Sequence, residues 1–364
     1  MTRELLVISA DFDPYPSSNT NCIKPLLDKL IKEGYSIDVV TRRMDDTSLR
    51  NELFGGLNIL RIDDRRCINS YVVNSHQRNI KNSLFRNAYK IYGFASKAAY
   101  YIRYCLFSKE QRVSGWRVGD IIPSIEKEFG NKNYDAILTI ALPEITHEIG
   151  EKVHEYLFPK SKWIVYDYDP IGYNRSQYNR LSQKYFLRRQ MEIYEKCDHI
   201  FMGPELYDFY LGTPFHMFKK KISILPFANM KETQQCYNSC KNLLHGKGII
   251  CTYAGALAKD IRNPQYAIDL FSDSSLKSIC DFNIITGSRT EYFLKEIEKM
   301  SNIHIIGKLP YNDSIACLME SDILINIGNT VSFQVPGKVF EYMALGKPII
   351  HISKIENDPT NKYL

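Results

Sequence analysis

"VPGKVFEYMALGKPII", residues 335–350, is the stretch from which the fold of this chain can be read. Pro336 and Gly337 open a short helix, and the apolar run Pro348–Ile350 closes the stretch as a buried strand. Proline suits a first helical turn, where its missing N–H would have had no partner. The amides beyond it and the positive end of the helix dipole favour an anion such as a diphosphate. Lys338 and Glu341 stand three apart on one face, while the pattern turns Phe340, Met343 and Ala344 toward the sheet. On an ordinary helix the same pair is a weakly stabilising surface ion pair.

The αβ step of residues 335–350 recurs along the chain. Upstream in the second half, "GIICTYAG" (248–255), "DFNIITGS" (281–288), "NIHIIGKL" (302–309) and "DILINIG" (322–328) precede "KPIIHIS" (347–353). Each is separated from the next by a helix-length amphipathic stretch. The first half carries "LLVISA", "YSIDVV", "LNILRI", "YDAILTI", "KWIVYD", "DHIFMG" and "KISILP" in the same alternation. The pattern predicts an α/β protein of two doubly wound parallel sheets, with ligands outside the carboxyl ends of the strands. The polar stretch after Asn229 marks the boundary, giving domains 1–230 and 231–364. Neither first strand is followed by GxGxxG, which argues against a dinucleotide-dependent dehydrogenase.

Length and composition agree with two domains. The chain has 364 residues, with 44% hydrophobic and 24% charged side chains, so an ordered globular protein is expected. The apolar run near the N-terminus is too short for a membrane span and is followed by acids. Nine cysteines at irregular spacing, with no CxxC pair, read as reduced thiols rather than a zinc site. Charge is unevenly placed. Residues 1–235 hold 34 basic and 28 acidic side chains, whereas residues 236–364 hold 13 of each. Within the first half, residues 78–118 carry nine Lys or Arg and one Glu, a net of +8 that accounts for the imbalance.

The blocks "YAGAL", "IRNP", "ITGS", "IIGKLP", "SDILINIG" and "QVPGKVFEYMALGKPII" together resemble the C-terminal domain of family 4-type, GT-B-fold bacterial glycosyltransferases. The resemblance covers most of residues 249–352. It implies two Rossmann-like domains facing across a cleft, the first binding the acceptor and the second a nucleoside diphosphate sugar. By that resemblance Glu341 accepts the ribose hydroxyls, while Lys338 and Arg262 meet the diphosphate. Gly337 and Gly287 belong to the same donor-side loops. The family often has a glutamate eight positions before the second one, contacting the sugar. Here Phe333 stands there, so the sugar contact is expected to pass to Gln334 or to backbone amides. The resemblance further implies retention of anomeric configuration, no metal and no cofactor beyond the sugar donor. The family usually continues past the strand "KPIIHIS", which leaves a C-terminal truncation open.

In the first half, the loop "DFDPYPSSNTN" is rich in turn formers and hydroxyls, with Asn19 or Thr20 as a helix N-cap facing the acceptor. "WIVYDYDPIGYN" places Asp167 and Asp169 on one side of a strand end, where Pro170 stops the strand. Asp169 reads as a catalytic carboxylate or as part of a strand-exit turn. Asp167 reads as the acceptor of backbone donors. The "DYD" spacing matches a DxD metal motif but lies in the acceptor half. His147 opens a helix after "ALPEIT", with Thr146 where similar enzymes carry a serine. It reads as an acceptor-orienting group or as a capping or packing histidine.

Leu84, Ala88, Ile91, Ala95, Ala98 and Ile102 form one apolar helical stripe. Arg86, Lys90, Lys97, Tyr101 and Tyr104 lie opposite, a face suited to anionic lipid headgroups. No nucleic-acid motif accompanies them, so nucleic acid is not the expected partner. The sequence therefore predicts a cytoplasmic glycosyltransferase, peripheral at the inner face of the plasma membrane. Its acceptor is a glycan or polyprenyl-linked chain in cell-surface polysaccharide synthesis. Within the same fold, a nucleotide-sugar epimerase or an inactive nucleotide-sugar binding subunit are the alternatives.

Overall fold

A computed structural model of the chain describes residues 2–13, 18–43, 48–64, 118–141, 145–170, 172–173, 180–226, 241–259, 261–288, 297 and 300–364. The chain divides into two compact units, Met1–Ala228 and Asn229–Leu364.

The first unit is built on an eight-stranded sheet. Its strands are β1 (Arg3–Ser9), β2 (Tyr35–Arg43), β3 (Asn51–Phe54), β4 (Leu57–Asp63), β5 (Ala136–Ile140), β6 (Lys162–Asp167), β7 (His199–Met202) and β8 (Ile222–Ile224). The spatial order is β3-β4-β2-β1-β5-β6-β7-β8, parallel throughout except for the β3–β4 pair. Helices α1 (Ser18–Lys32), α2 (Val118–Phe129), α3 (Ile145–Tyr156), α4 (Arg180–Lys196) and α5 (Pro204–Leu211) connect the strands. Strand β1 shows why its sequence is apolar without alternation. Leu6 and Ile8 join the core under α2 and α3, while Leu5 and Val7 join the core under α1. A strand covered on both faces has no polar side to present.

Two readings of the sequence need revision here. Strand β3 was not expected, because "NELF" is short, polar at its start and exposed at Leu53. It exists because Gly55 and Gly56 both take positive φ, at 58° and 81°, which closes a two-residue hairpin onto β4. Helix α1 opens at Ser18, so Asn19 and Thr20 lie inside its first turn rather than before it.

The second unit carries a five-stranded parallel sheet of β9 (Ile249–Ala254), β10 (Cys280–Ile285), β11 (Ile303–Ile305), β12 (Ile323–Ile327) and β13 (Ile349–Ile352). Its order is β11-β10-β9-β12-β13. Its helices among the described residues include α6 (Gln265–Ser272), α7 (Ser274–Lys277), α8 (Tyr311–Glu320) and α9 (Lys338–Ala344). Cys251, Phe282 and Ile325 pack with Phe271 of α6 on one face, and Leu324 and Ile285 with Leu318 of α8 on the other. The order reverses at β9, whose neighbours β10 and β12 lead away in opposite directions, and such a switch point leaves a crevice at the carboxyl ends. Pairing between β9 and β12 involves only Cys251 with Ile323 and Thr252 with Leu324, and both strands run on beyond it.

Candidate functional site

Helix α9 is seated differently from the sequence pattern. Val339 and Tyr342 are its buried residues, while Met343 is exposed and Phe340 and Ala344 are half-buried. The expected inward face of Phe340, Met343 and Ala344 is therefore replaced by one centred on Tyr342. The reason is a polar anchor inside an apolar site. The Tyr342 hydroxyl accepts from the Ala254 amide at 2.8 Å and donates to the Ala254 carbonyl at 3.3 Å. One side chain thereby satisfies both backbone groups at the end of β9. Burial pushes the Tyr342 phenol well up, against the opposing effects of the Ala254 bond and the positive charge of Arg262.

This anchor puts the start of α9 beside the exit of β9. Lys338 Nζ lies 2.5 Å from Glu341 Oε2, with side chains 28% and 12% exposed. The same ammonium sits 5.5 Å from the centre of the Tyr311 ring. Gly255 follows β9 directly, and a Cβ there would fall 2.9 Å from the Tyr253 hydroxyl and 3.7 Å from Lys338 Cγ. A side chain at this position would crowd the Tyr253 hydroxyl, while its contact with Lys338 would be an ordinary one. Gly337 caps α9 without a side-chain bond, and the Val339 amide is already taken by the Pro336 carbonyl. Fewer free amides remain at this helix start than the sequence pattern implied.

Arg262 approaches from the loop after β9. Its Nε and Nη2 donate to Asn329 Oδ1 at 3.1 and 2.8 Å, and Nη1 donates to the Ala256 carbonyl at 3.3 Å. Asn329 stands just past β12 and is 1% exposed. Its Nδ2 donates to the Gln334 backbone carbonyl at 3.0 Å, which ties the "QVPG" segment to the same point. Gly287 lies after β10, with the Lys308 side chain 3.2 Å from where its Cβ would be. Next to it, Ser288 Oγ accepts from the Leu257 amide at 2.8 Å. Phe333 is buried. The structure thus brings Arg262, Gly287, Gln334, Gly337, Lys338 and Glu341 to the carboxyl ends of β9, β10 and β12. Sequence reasoning missed Asn329 and Tyr342. The signal was present for Asn329, a polar residue directly after an apolar strand at the switch point.

In the first unit, His147 and Asp167 meet. His147 is fully buried, with Nε2 2.8 Å from Asp167 Oδ1 and Nδ1 2.8 Å from Thr139 Oγ1. Asp167 Oδ2 also accepts from Gln190 Nε2 at 3.0 Å and from the Tyr194 hydroxyl. Its partners are side chains, not the backbone donors expected of it. They join α3 and α4 to the end of β6. Burial, with the Asp167 charge next, holds the Tyr194 phenol well above its ordinary range. Asp169 lies two residues beyond β6 and is half-buried, and Asn19 lies in the first turn of α1. Arg86, Lys90, Lys97 and Tyr101 fall outside the described residues. Among the described residues no helix is long and apolar enough to cross a membrane. None of their His, Cys, Asp and Glu side chains gather in threes as metal ligands do. Burial raises the Cys197 and Cys251 thiols to about 12, so neither is a nucleophile near neutral pH.

No family model matches the sequence, and no curated protein matches it. Solved structures do. Sucrose-phosphate synthase from Thermosynechococcus elongatus is similar with a TM-score of 0.60 at 14% identity, over 96% of this chain and 81% of that one. The catalytic domain of starch synthase IV from Arabidopsis thaliana, bound to ADP and acarbose, gives 0.62 at 10% identity over 100% and 84%. WaaG, a glycosyltransferase involved in lipopolysaccharide biosynthesis, gives 0.53 at 12% identity over 97% and 82%. At these identities the likeness is one of fold. The chain has the α/β architecture of GT-B glycosyltransferases, with two parallel-sheet units.

Proposed function

We propose that this chain is a glycosyltransferase that moves a sugar from a nucleoside diphosphate sugar to a glycan or lipid-linked acceptor. One observation carries the reading: Arg262, in the loop after β9, and the Lys338–Glu341 pair at the start of α9 both lie beside the carboxyl end of β9. Two cations and a carboxylate at such a crevice match the chemistry of a ribosyl diphosphate. Glu341 accepts the ribose hydroxyls through the carboxylate oxygen that Lys338 leaves over. Lys338 and Arg262 take up the charge that grows on the diphosphate as the glycosidic bond breaks. The fold shared with sugar-nucleotide-dependent enzymes supports the same reading, as does the ADP bound to starch synthase IV.

Of the finer parts of the proposal, retention of configuration and no metal requirement rest on the sequence resemblance, and a role in cell-surface polysaccharide synthesis at the cytoplasmic membrane face rests on the basic segment. Asp169 is assigned to catalysis on the acceptor side, and the basic face of residues 86–101 to the membrane. The assay is release of nucleoside diphosphate from a panel of nucleotide sugars, with and without membrane extract. Extract-dependent release is the expected result. The buried Phe333 at the position of the family's sugar-contacting glutamate favours one second reading, an inactive nucleotide-sugar binding subunit. Tight donor binding with no release under any condition would establish that reading instead.

A further inference from the structure

We propose that Asn329 is a positioning residue that presents Arg262 to the diphosphate with its charge intact. The inference rests on the reading of the second unit as a nucleoside diphosphate site and names a part of it that the sequence did not.

The geometry allows one orientation of the Asn329 amide. A guanidinium can only donate and a backbone carbonyl can only accept. The oxygen must therefore face Arg262 and the nitrogen must face Gln334, as the distances of 2.8 and 3.0 Å require. The site asks for an acceptor and a donor on one short side chain, nearly closed to water. Asparagine meets that demand and aspartate does not.

The choice has an electrostatic consequence. Arg42, Arg43, Arg61 and Arg189, the other arginines with well-covered side chains among the described residues, are each bonded to at least one carboxylate. Their charge is spent on holding the fold. The partners of Arg262 among the described residues are an amide oxygen and a carbonyl, both neutral. These fix the direction of the guanidinium without neutralising it. A preoriented cation whose partners among the described residues are neutral is suited to binding an anion.

The same side chain also joins three segments. The Arg262 loop bonds to the segment after β12 through Asn329 and through the Thr330 amide, which donates to the Ile261 carbonyl at 2.9 Å. Gln334 then carries the connection to the start of α9. Asn329 therefore ties the Arg262 loop to the segment that leads into α9.

The test uses the full chain, with ADP, GDP, UDP and the three parent nucleosides as calorimetric probes. Asn329→Asp keeps the oxygen that Arg262 uses but adds a compensating charge. It should lower affinity for the preferred diphosphate about tenfold or more with nucleoside affinity near wild type, whatever the lost bond to Gln334 does to the thermal midpoint. In an Arg262→Gln background the same substitution should have little further effect, because the two residues act as one unit. Wild-type diphosphate affinity in Asn329→Asp, or an equal loss with and without Arg262, would overturn the proposal. An equal loss for diphosphate and nucleoside would reduce Asn329 to a structural role. If the wild-type chain binds none of the three diphosphates, the donor reading fails and this inference fails with it.

Discussion

Glu341 and Asp169 test the two halves of the proposal at the level of single side chains. Glu341→Ala removes charge-assisted hydrogen bonds to the ribose, so donor affinity should fall by roughly 1–3 kcal/mol. The fold should hold, because the buried face of α9 is Val339 and Tyr342 rather than Glu341. Calorimetry with the preferred nucleoside diphosphate reads both points, and unchanged affinity would remove Glu341 from the site. Asp169→Asn keeps the shape of the side chain and removes its charge. Turnover should drop about 100-fold or more with donor affinity preserved, the pattern of an interaction made in the transition state. Near-normal turnover would return Asp169 to a strand-exit turn. His147 and Asp167 behave differently, since both are shut into the core with each other, Thr139, Gln190 and Tyr194. Their chemistry could not be read from "DYDP", because a residue's partners across helices are set by packing.

At the scale of elements, the seating of α9 on β9 decides whether the site forms. Tyr342→Phe leaves the volume of the ring but strands the buried Ala254 amide without its acceptor. A loss of about 1–3 kcal/mol is expected in urea unfolding, together with weaker diphosphate binding as Lys338 and Gly255 drift apart. Full stability in that variant would show that the apolar contacts of Val339 and of the aromatic ring seat the helix without the hydroxyl. The helix and the strands were legible from their periods, and "KWIVYD" coincides with β6 residue for residue. Which face of α9 turns inward was not. A seven-residue helix makes two turns, too few for hydropathy to outweigh one buried hydrogen-bonded tyrosine. Strand β3 escaped for a related reason, since its existence depends on two positive-φ glycines and on β4 beside it rather than on its own composition.

For the whole molecule, the placement of charge along the chain bears on membrane attachment. The excess of basic residues in 78–118 predicts that replacing Arg86, Lys90 and Lys97 with Ser weakens binding to anionic vesicles. Activity on a lipid-linked acceptor should then become less sensitive to salt. Activity on a soluble acceptor analogue should hardly change. Equal loss on both acceptors would assign the segment to folding or to chemistry. Residues 236–364, with 13 charges of each sign, have no comparable excess, so donor binding should be indifferent to vesicle charge.

By itself the sequence determined the α/β class and the place along the chain of nearly all the strands. It also singled out the segments that hold Arg262, Lys338 and Glu341. These follow from local period, turn chemistry and the apolar runs of doubly covered strands, all of which are written along the chain. Tertiary structure alone decided the inward face of α9, the burial of His147 against Asp167, and the bridge from Asn329 to Arg262 across 67 positions. A hydrogen bond between segments that distant depends on where the sheet's strands part. Strand order reverses at β9, and only the folded sheet brings the ends of β9 and β12 to one crevice.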